Sequence, residues 1–204
     1  MKILIVDDHP LIRAGIKSSL ILEKNIEIVN EASNISEAMA SIKANQPDLI
    51  IVDIYLGKEN GFDFISKCKK INNNIKYLIL TSSIKKDDFS KAKKLNVDGF
   101  ILKEAFIEDI IYSINIVMRG KKYYDPEILQ NAGYYSSNTL TSREYDVLIE
   151  IEKGLSNAEI AQNLFISECT VKKHISSILS KLELKNRTEI ALYAANYAVL
   201  SING

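Results

Sequence analysis

The chain has 204 residues, 47% hydrophobic and 25% charged, which fits one large or two small globular domains and excludes disordered, collagen-like and coiled-coil classes. Lys+Arg and Asp+Glu both total 26, so the net charge is zero and any nucleic-acid contact must come from a local patch rather than bulk charge. The cysteines, Cys68 and Cys169, make neither a disulfide framework nor a CxxC metal site, and no apolar stretch reaches the roughly 7–15 residues of a signal sequence or the about 20 of a membrane span, so the expectation is a soluble, reduced, cytoplasmic protein that does not engage membranes.

From 1 to 118, short apolar runs alternate with amphipathic stretches. The runs at 3–6, 26–29, 49–52, 77–80 and 100–102 are β-branched and continuous, as in strands covered on both faces. Leu11, Gly15, Ser18 and Leu22 follow the first run as a helix-like segment. Phe62, Ile65, Cys68 and Lys69 follow the third. Ile107, Ile110, Ile111, Ile114 and Val117 follow the fifth at helical spacing. Five strands alternating with five helices predict an α/β domain with a parallel, doubly wound sheet.

Residues 119–138 break this rhythm. Asp125-Pro126 looks like an N-cap with proline at the first helical position, and 131–138 is rich in Asn, Ser, Gly and Tyr. The stretch reads as a linker carrying a short helix. From 139 to 204 no strand signal remains. Thr141–Glu144, Ser156–Glu159 and Asn186–Glu189 each fit a capping box, Ser167 opens another helix, and Gly154 closes the first, so an all-α domain of four helices is predicted.

Reactive side chains fall at the carboxyl ends of the predicted strands: Asp7 and Asp8 after the first, Asp53 after the third, Thr81 after the fourth and Lys103 after the fifth. Ligands of open α/β sheets bind outside those ends. Three converging carboxylates need a cation, and an oxygen-rich, thiol-free set suits Mg²⁺. A carboxylate beside Mg²⁺, a hydroxyl and a lysine can act as a nucleophile toward a phosphoryl group. The segment from Gly57 to Gly61 lacks Walker spacing and reads as a turn into a helix, and His9 reads as a loop residue beside Pro10.

In 139–204 there are seven basic and eight acidic residues, unevenly spread. Five basic residues (Lys172, Lys173, Lys181, Lys185 and Arg187) fall between Cys169 and Arg187 against the single acid Glu183. A helix, a short turn through Phe165 and Ile166, and a second helix with early basic residues form a helix-turn-helix arrangement. On charge alone, a solvated lysine face is an equal alternative.

The motifs Val6-Asp7-Asp8, Val52-Asp53-Ile54, Leu80-Thr81-Ser82 and Asp98-Gly99-Phe100-Ile101-Leu102-Lys103 resemble those of bacterial two-component response regulators of the NarL/LuxR type. So do Leu140 to Glu144, Gly154 to Ala161, Ser167 to Lys172, His174, Lys181-Leu182 and Asn186 to Glu189 of the LuxR-type DNA-binding domain. The resemblance covers essentially the whole chain. It implies a receiver at 1–118 with flavodoxin-like strand order, a linker at 119–138 and a helix-turn-helix domain at 139–204. It implies that Asp53 accepts a phosphoryl group from a histidine kinase and that Asp7, Asp8, Asp53 and the Tyr55 carbonyl hold Mg²⁺. Thr81 and Lys103 would hold the phosphoryl oxygens, Phe100 would be the aromatic switch, and the site would slowly hydrolyse its own phosphoaspartate. Thr170, Val171, Lys172, Lys173 and Ser176 would face the major groove or its phosphates in promoter DNA, with Lys181, Lys185 and Arg187 nearby. The last helix, 188–200, would be the dimer helix of a homodimer formed on activation; it presents Ile190, Ala191, Ala194, Ala195, Tyr197 and Ala198 as an apolar strip, part of which must cover the domain's own core, and the alternative is that Ala191, Ala194 and Ala198 only pack internally.

Three departures from the family pattern stand out: Leu56-Gly57 in place of Met-Pro, Glu104 in place of proline after Lys103, and Ser176 in place of lysine. The resemblance implies that Tyr55 and Ser83, two residues beyond Asp53 and Thr81, would face the attacking water and so would set phosphoryl lifetime. An aspartyl-nucleophile phosphatase is the enzymatic alternative, but it needs a second acid where Tyr55 stands. A phosphorylation-independent DNA binder is the other, and the intact acidic set argues against it.

Overall fold

The structure is a computed structural model. It describes residues 1–132 and 140–202, with the side chains of Ser142 and 196–202 outside the description. The chain divides into two compact units, 1–132 and 133–204.

The first unit runs β1 (Lys2–Val6), α1 (Pro10–Leu20), β2 (Ile28–Ala32), α2 (Ile35–Asn45), β3 (Leu49–Val52), the hairpin strands β4 (Tyr55–Leu56) and β5 (Glu59–Asn60), and α3 (Gly61–Ile71). It continues with β6 (Lys76–Thr81), α4 (Lys86–Lys94), β7 (Gly99–Leu102), α5 (Ile107–Met118), β8 (Tyr123–Tyr124) and α6 (Pro126–Asn131). The main sheet has the order β2-β1-β3-β6-β7-β8, and all its pairs are parallel. Strand order reverses between β1 and β3, so their carboxyl ends flank the switch point where such sheets bind ligands.

Continuous apolar runs are explained by two cores. Leu4, Val6, Ile50, Val52, Tyr77, Ile79 and Phe100 pack with α2, α3, α4 and α6. Their alternates Ile3, Ile5, Leu49, Ile51, Leu78, Leu80 and Ile101 pack with α1 and α5 on the opposite face. The edge strand β2 departs from the expected run at 26–29. It begins at Ile28 and takes in Asn30 and Glu31, because an edge strand can carry polar residues toward solvent. Helix α1 also differs: it buries Ile16 and Leu20, with Ile12 packed alongside, whereas Leu11 and Leu22 are 86% and 81% exposed.

The stretch expected to be linker begins as part of this unit. Tyr123 and Tyr124 pair with Gly99 and Phe100 as a sixth strand, and Ile128 and Ala132 complete the core beside α4. Its remaining residues, 133–138, lie outside the described set. The cap at Asp125 forms as read: its carboxylate accepts from the Glu127 amide at 3.0 Å, and Pro126 opens α6. Burial pushes this carboxyl up to about 6 from an ordinary 3.8, even though the Glu127 and Leu102 amides act to lower it. The folded unit therefore holds a proton that the unfolded chain releases. The stability from this proton is fully present below pH ~4 and is lost as pH rises through about 6. Relative to Asp125→Asn, the native chain is expected to gain about 1–3 kcal/mol between pH 7 and pH 4 in denaturant titrations, and parallel curves would overturn the assignment.

The second unit contains α7 (Ser142–Glu152), α8 (Asn157–Leu164), α9 (Glu168–Lys181) and α10 (Arg187–Ile202). Thr141 with Glu144 and Ser156 with Glu159 form complete capping boxes. Ser167 accepts from the Thr170 amide, and Gly154 takes φ +79° after α7. At the last helix Asn186 accepts from the Glu189 amide, but the Glu189 carboxylate reaches back to the Lys185 amide, one residue early. Val147, Ile151, Ile160, Val171, Ile178 and Ile190 form the core. No described helix is long and apolar enough to cross a membrane.

Candidate functional site

At the switch point, β1, β3, β6 and β7 deliver their last side chains to one place. Asp7 follows β1 and is 2% exposed, Asp53 follows β3 and is 4% exposed, and Thr81 ends β6 fully buried. Lys103 follows β7, with its amide held by the Thr81 carbonyl at 2.9 Å. Its ammonium lies 2.7 Å from Asp53 Oδ2 and 2.7 Å from Asp7 Oδ2. Asp8 is more exposed, and its Oδ2 accepts from the Gly57 amide at 3.1 Å.

His9, read from the sequence as a loop residue, belongs to the cluster. Its Nδ1 lies 3.0 Å from Asp7 Oδ1 and 2.9 Å from Asp8 Oδ1. Arg13 on α1 donates to the Asp7 carbonyl and was likewise not singled out. Asp7, Asp8, His9 and Asp53 each offer a ligand atom within 4.8 Å of the others. Two of the three carboxylates, Asp7 and Asp53, share one ammonium there, and the hard oxygen donors of all three fit a divalent cation of the Mg²⁺ class. Burial raises the Asp53 carboxyl above its ordinary range against the opposing pull of Lys103. Burial works to lower Lys103, yet its bonds to Asp53 and Asp7 outweigh this and raise it.

A cleft of about 480 Å³ opens over this cluster, lined by His9, Asp53, Tyr55, Thr81, Ser82, Ser83, Ile84, Lys85 and Lys103. Of the three strand-end acids, Asp53 alone lines it. Tyr55 starts the hairpin in register with Asn60, and its amide points to Asp53 Oδ1 at 3.4 Å. Phe100 is fully buried and meets Phe89 edge-on at 5.7 Å, while Phe89 meets Tyr124 at 5.3 Å.

In the second unit, α8 ends at Phe165, whose left-handed φ of 55° lets Ile166 turn back into the core before Ser167 caps α9. On α9, Lys172, Lys173 and Ser176 are exposed, and so is Lys185 after it. Four of the residues assigned to DNA contact are placed differently. Val171 is fully buried in the core, and Thr170 is fully buried with its hydroxyl 2.8 Å from Ser167 Oγ. The Lys181 ammonium pairs at 2.8 Å with Glu144, a buried carboxylate that also accepts from Ser177. Arg187 donates to Asn157 Oδ1 at 2.9 Å and to the Leu155 carbonyl, tying α10 to α8. These two cations serve internal contacts, so charge counting overstated the outward positive patch.

The apolar strip on the last helix is divided between the core and the surface. Ile190 is fully buried and Ala194 is 2% exposed in the core, whereas Leu192 is 61% exposed and Ala195 also faces outward. The side chains of Tyr197 and Ala198 lie outside the described residues.

Residues 3–115 match the family model of the response regulator receiver domain, and 138–194 match that of the bacterial regulatory proteins of the luxR family. Among curated proteins, the chain is 37% identical to the response regulator protein VraR of Staphylococcus aureus, over 98% of this chain and 99% of VraR. Among solved structures, it is similar to the response regulator ChrA of a heme-sensing two-component system, with 31% identity, 98% of each chain covered and a TM-score of 0.53. It also shares the fold of RcsB in an RcsB–DNA complex, with 22% identity, 96% of this chain and 98% of that one covered, and a TM-score of 0.62.

Proposed function

The chain belongs to the response regulators that join a receiver to a LuxR-type DNA-binding domain, and from that premise we propose that phosphorylation of Asp53 by a histidine kinase controls its binding to promoter DNA. The observation that carries the reading is that Asp53 alone among the strand-end acids lines the cleft, flanked by Thr81 and Lys103. Its carboxylate oxygen attacks the phosphorus as the bond from phosphorus to the kinase histidine nitrogen breaks. Lys103, already 2.7 Å from Asp53, and the Thr81 hydroxyl are placed to take the phosphoryl oxygens. Asp7, Asp8 and Asp53, with the Tyr55 carbonyl, would hold Mg²⁺, which when bound supplies neutralisation of charge on the phosphoryl group. His9, in contact with Asp7 and Asp8, keeps that carboxylate set oriented. The chain accepts a phosphoryl group and slowly loses it to water instead of turning over a substrate.

Phe100, packed against Phe89, is the residue through which a shift at the β6–α4 loop would reach the buried face of the sheet. A near-neutral domain with one recognition helix makes few phosphate contacts. Pairing two copies makes the second contact intramolecular and raises avidity by about 10²–10⁴. The phosphorylated form therefore acts as a homodimer in the cytoplasm, reading two half-sites. Among the described residues of the last helix, Leu192, Tyr193 and Ala195 are the exposed hydrophobic ones.

The test is binding to a site selected from random duplex DNA, with and without a small acyl phosphate and Mg²⁺. Phosphorylation is expected to raise affinity. Lys172→Ala or Lys173→Ala is expected to reduce the slope of log affinity against log salt by about one if the contact is to phosphate, or to cost roughly 1–3 kcal/mol at one base position if it reads a base edge. Unchanged affinity and slope in both variants would remove α9 from the DNA.

A further inference from the structure

Asp88 stands on α4, outside the acidic cluster, and is only 5% exposed. A carboxylate so buried needs donors. Its Oδ2 accepts two hydroxyls, from Tyr55 at 2.9 Å and from Ser83 at 2.6 Å, and the Lys91 ammonium lies 4.0 Å from Oδ1. The two hydroxyls come from different segments that line the cleft. Tyr55 lies two residues past Asp53, Ser83 lies two residues past Thr81, and both line it. The Ser83 amide also donates to Thr81 Oγ1 at 3.1 Å. One carboxylate on α4 thus fastens two residues of the cleft that opens over Asp53. The Tyr55 ring is 47% exposed, so its phenol bond to Asp88 is what anchors its tip.

We propose that Asp88 is a positioning residue that sets the lifetime of the phosphoryl group on Asp53, by holding Tyr55 and Ser83 at the cleft. The inference rests on Asp53 being the acceptor. In the reaction it slows, a water oxygen bonds to phosphorus. The bond from phosphorus to the Asp53 oxygen breaks, leaving its electron pair on the carboxylate, and the water protons leave with the inorganic phosphate. Water needs a line to phosphorus opposite the carboxylate oxygen, and the fastened Tyr55 ring and Ser83 hydroxyl narrow that approach. The same bonds tie α4 to the β6–α4 loop, so release of the latch and rearrangement of that loop are coupled.

The experiment labels the full chain with acetyl phosphate and Mg²⁺, removes the donor, and follows the remaining phosphoprotein by phosphate-affinity electrophoresis. Asp88→Ala and Tyr55→Phe are each expected to shorten the half-life about two- to tenfold, the range that one lost hydrogen bond accounts for. The double variant is expected to be no shorter-lived than Asp88→Ala alone, since that change already removes the Tyr55 contact. Asp88→Asn keeps an acceptor oxygen and is expected to stay close to the native half-life, which loss of packing alone would not explain. An unchanged half-life in Asp88→Ala, or effects that multiply in the double variant, overturns the inference while Asp53 stands as acceptor. If Asp88→Ala does not fold, Tyr55→Phe decides, and an unchanged half-life there overturns it. Failure of the native chain to take any label overturns the acceptor assignment and this inference with it.

Discussion

Asp53→Asn is expected to abolish labelling of the chain by a small acyl phosphate or phosphoramidate in Mg²⁺, and a chelator is expected to do the same to the native protein. Asp7 and Asp53 are equally buried and equally close to Lys103, so burial and charge do not separate them. Access does. Asp7 Oδ1 accepts from the His9 amide at 2.8 Å and from its ring, and Oδ2 faces Lys103, so both oxygens are engaged inside the cluster. Asp53 meets Lys103 through Oδ2, and its Oδ1 has only a 3.4 Å approach from the Tyr55 amide on the cleft side. Asparagine keeps the shape and removes the nucleophilic charge. Asp7→Asn is accordingly expected to slow labelling while leaving its site unchanged. Full labelling of Asp53→Asn would move the acceptor elsewhere.

Gly61→Ala is expected to cost about 3 kcal/mol or more, the upper end of overpacking penalties, and to impair labelling even below the unfolding transition. Gly61 opens α3, and its amide donates to the Ile54 carbonyl at 2.8 Å. A Cβ there would sit 2.1 Å from the Asp53 carbonyl oxygen and 3.1 Å from its carbonyl carbon. Both atoms are backbone, so relief requires moving the acceptor strand end or the whole helix. Gly99→Ala is the informative contrast. Its Cβ would also meet an atom at 2.1 Å, but that atom is Leu78 Cδ1, a side-chain tip, and the nearest backbone atom, the Tyr123 carbonyl oxygen, lies at 3.3 Å. Denaturant unfolding by circular dichroism separates the two. Native stability and labelling in Gly61→Ala would contradict the close approach of α3 to Asp53.

Local signals were readable because their physics is local. The caps at Asp125, Thr141, Ser156 and Ser167 satisfy amides within three residues of themselves, and all four form. The strand-end placement of Asp7, Asp53, Thr81 and Lys103 was legible for a related reason, since a continuous apolar run marks where a buried strand stops. Contacts between distant segments were not. Asp88 meets Tyr55 from 33 positions away, and Lys181 meets Glu144 from 37. A lysine paired with a buried acid looks the same in a sequence as a solvated one. Val171 was legible in principle: with Ile175, Ile178 and Leu182 it continues one helical stripe packed into the core, and that periodicity outranks its place beside Lys172.

The short pairing of Tyr123 and Tyr124 with Gly99 and Phe100 matters for more than the boundary of the first unit. Without it, β7 would be the sheet's outermost strand on that side, with Gly99–Leu102 almost wholly apolar and its backbone groups open to another chain. The same segment brings Tyr124, Ile128 and Ala132 onto the core beside Phe89. A receiver cut after Met118 would lose all of this at once. It would offer a bare apolar margin for edge-to-edge association, so that self-association there would report the cut rather than the signalling state. Ending the piece at Ala132 keeps the margin covered.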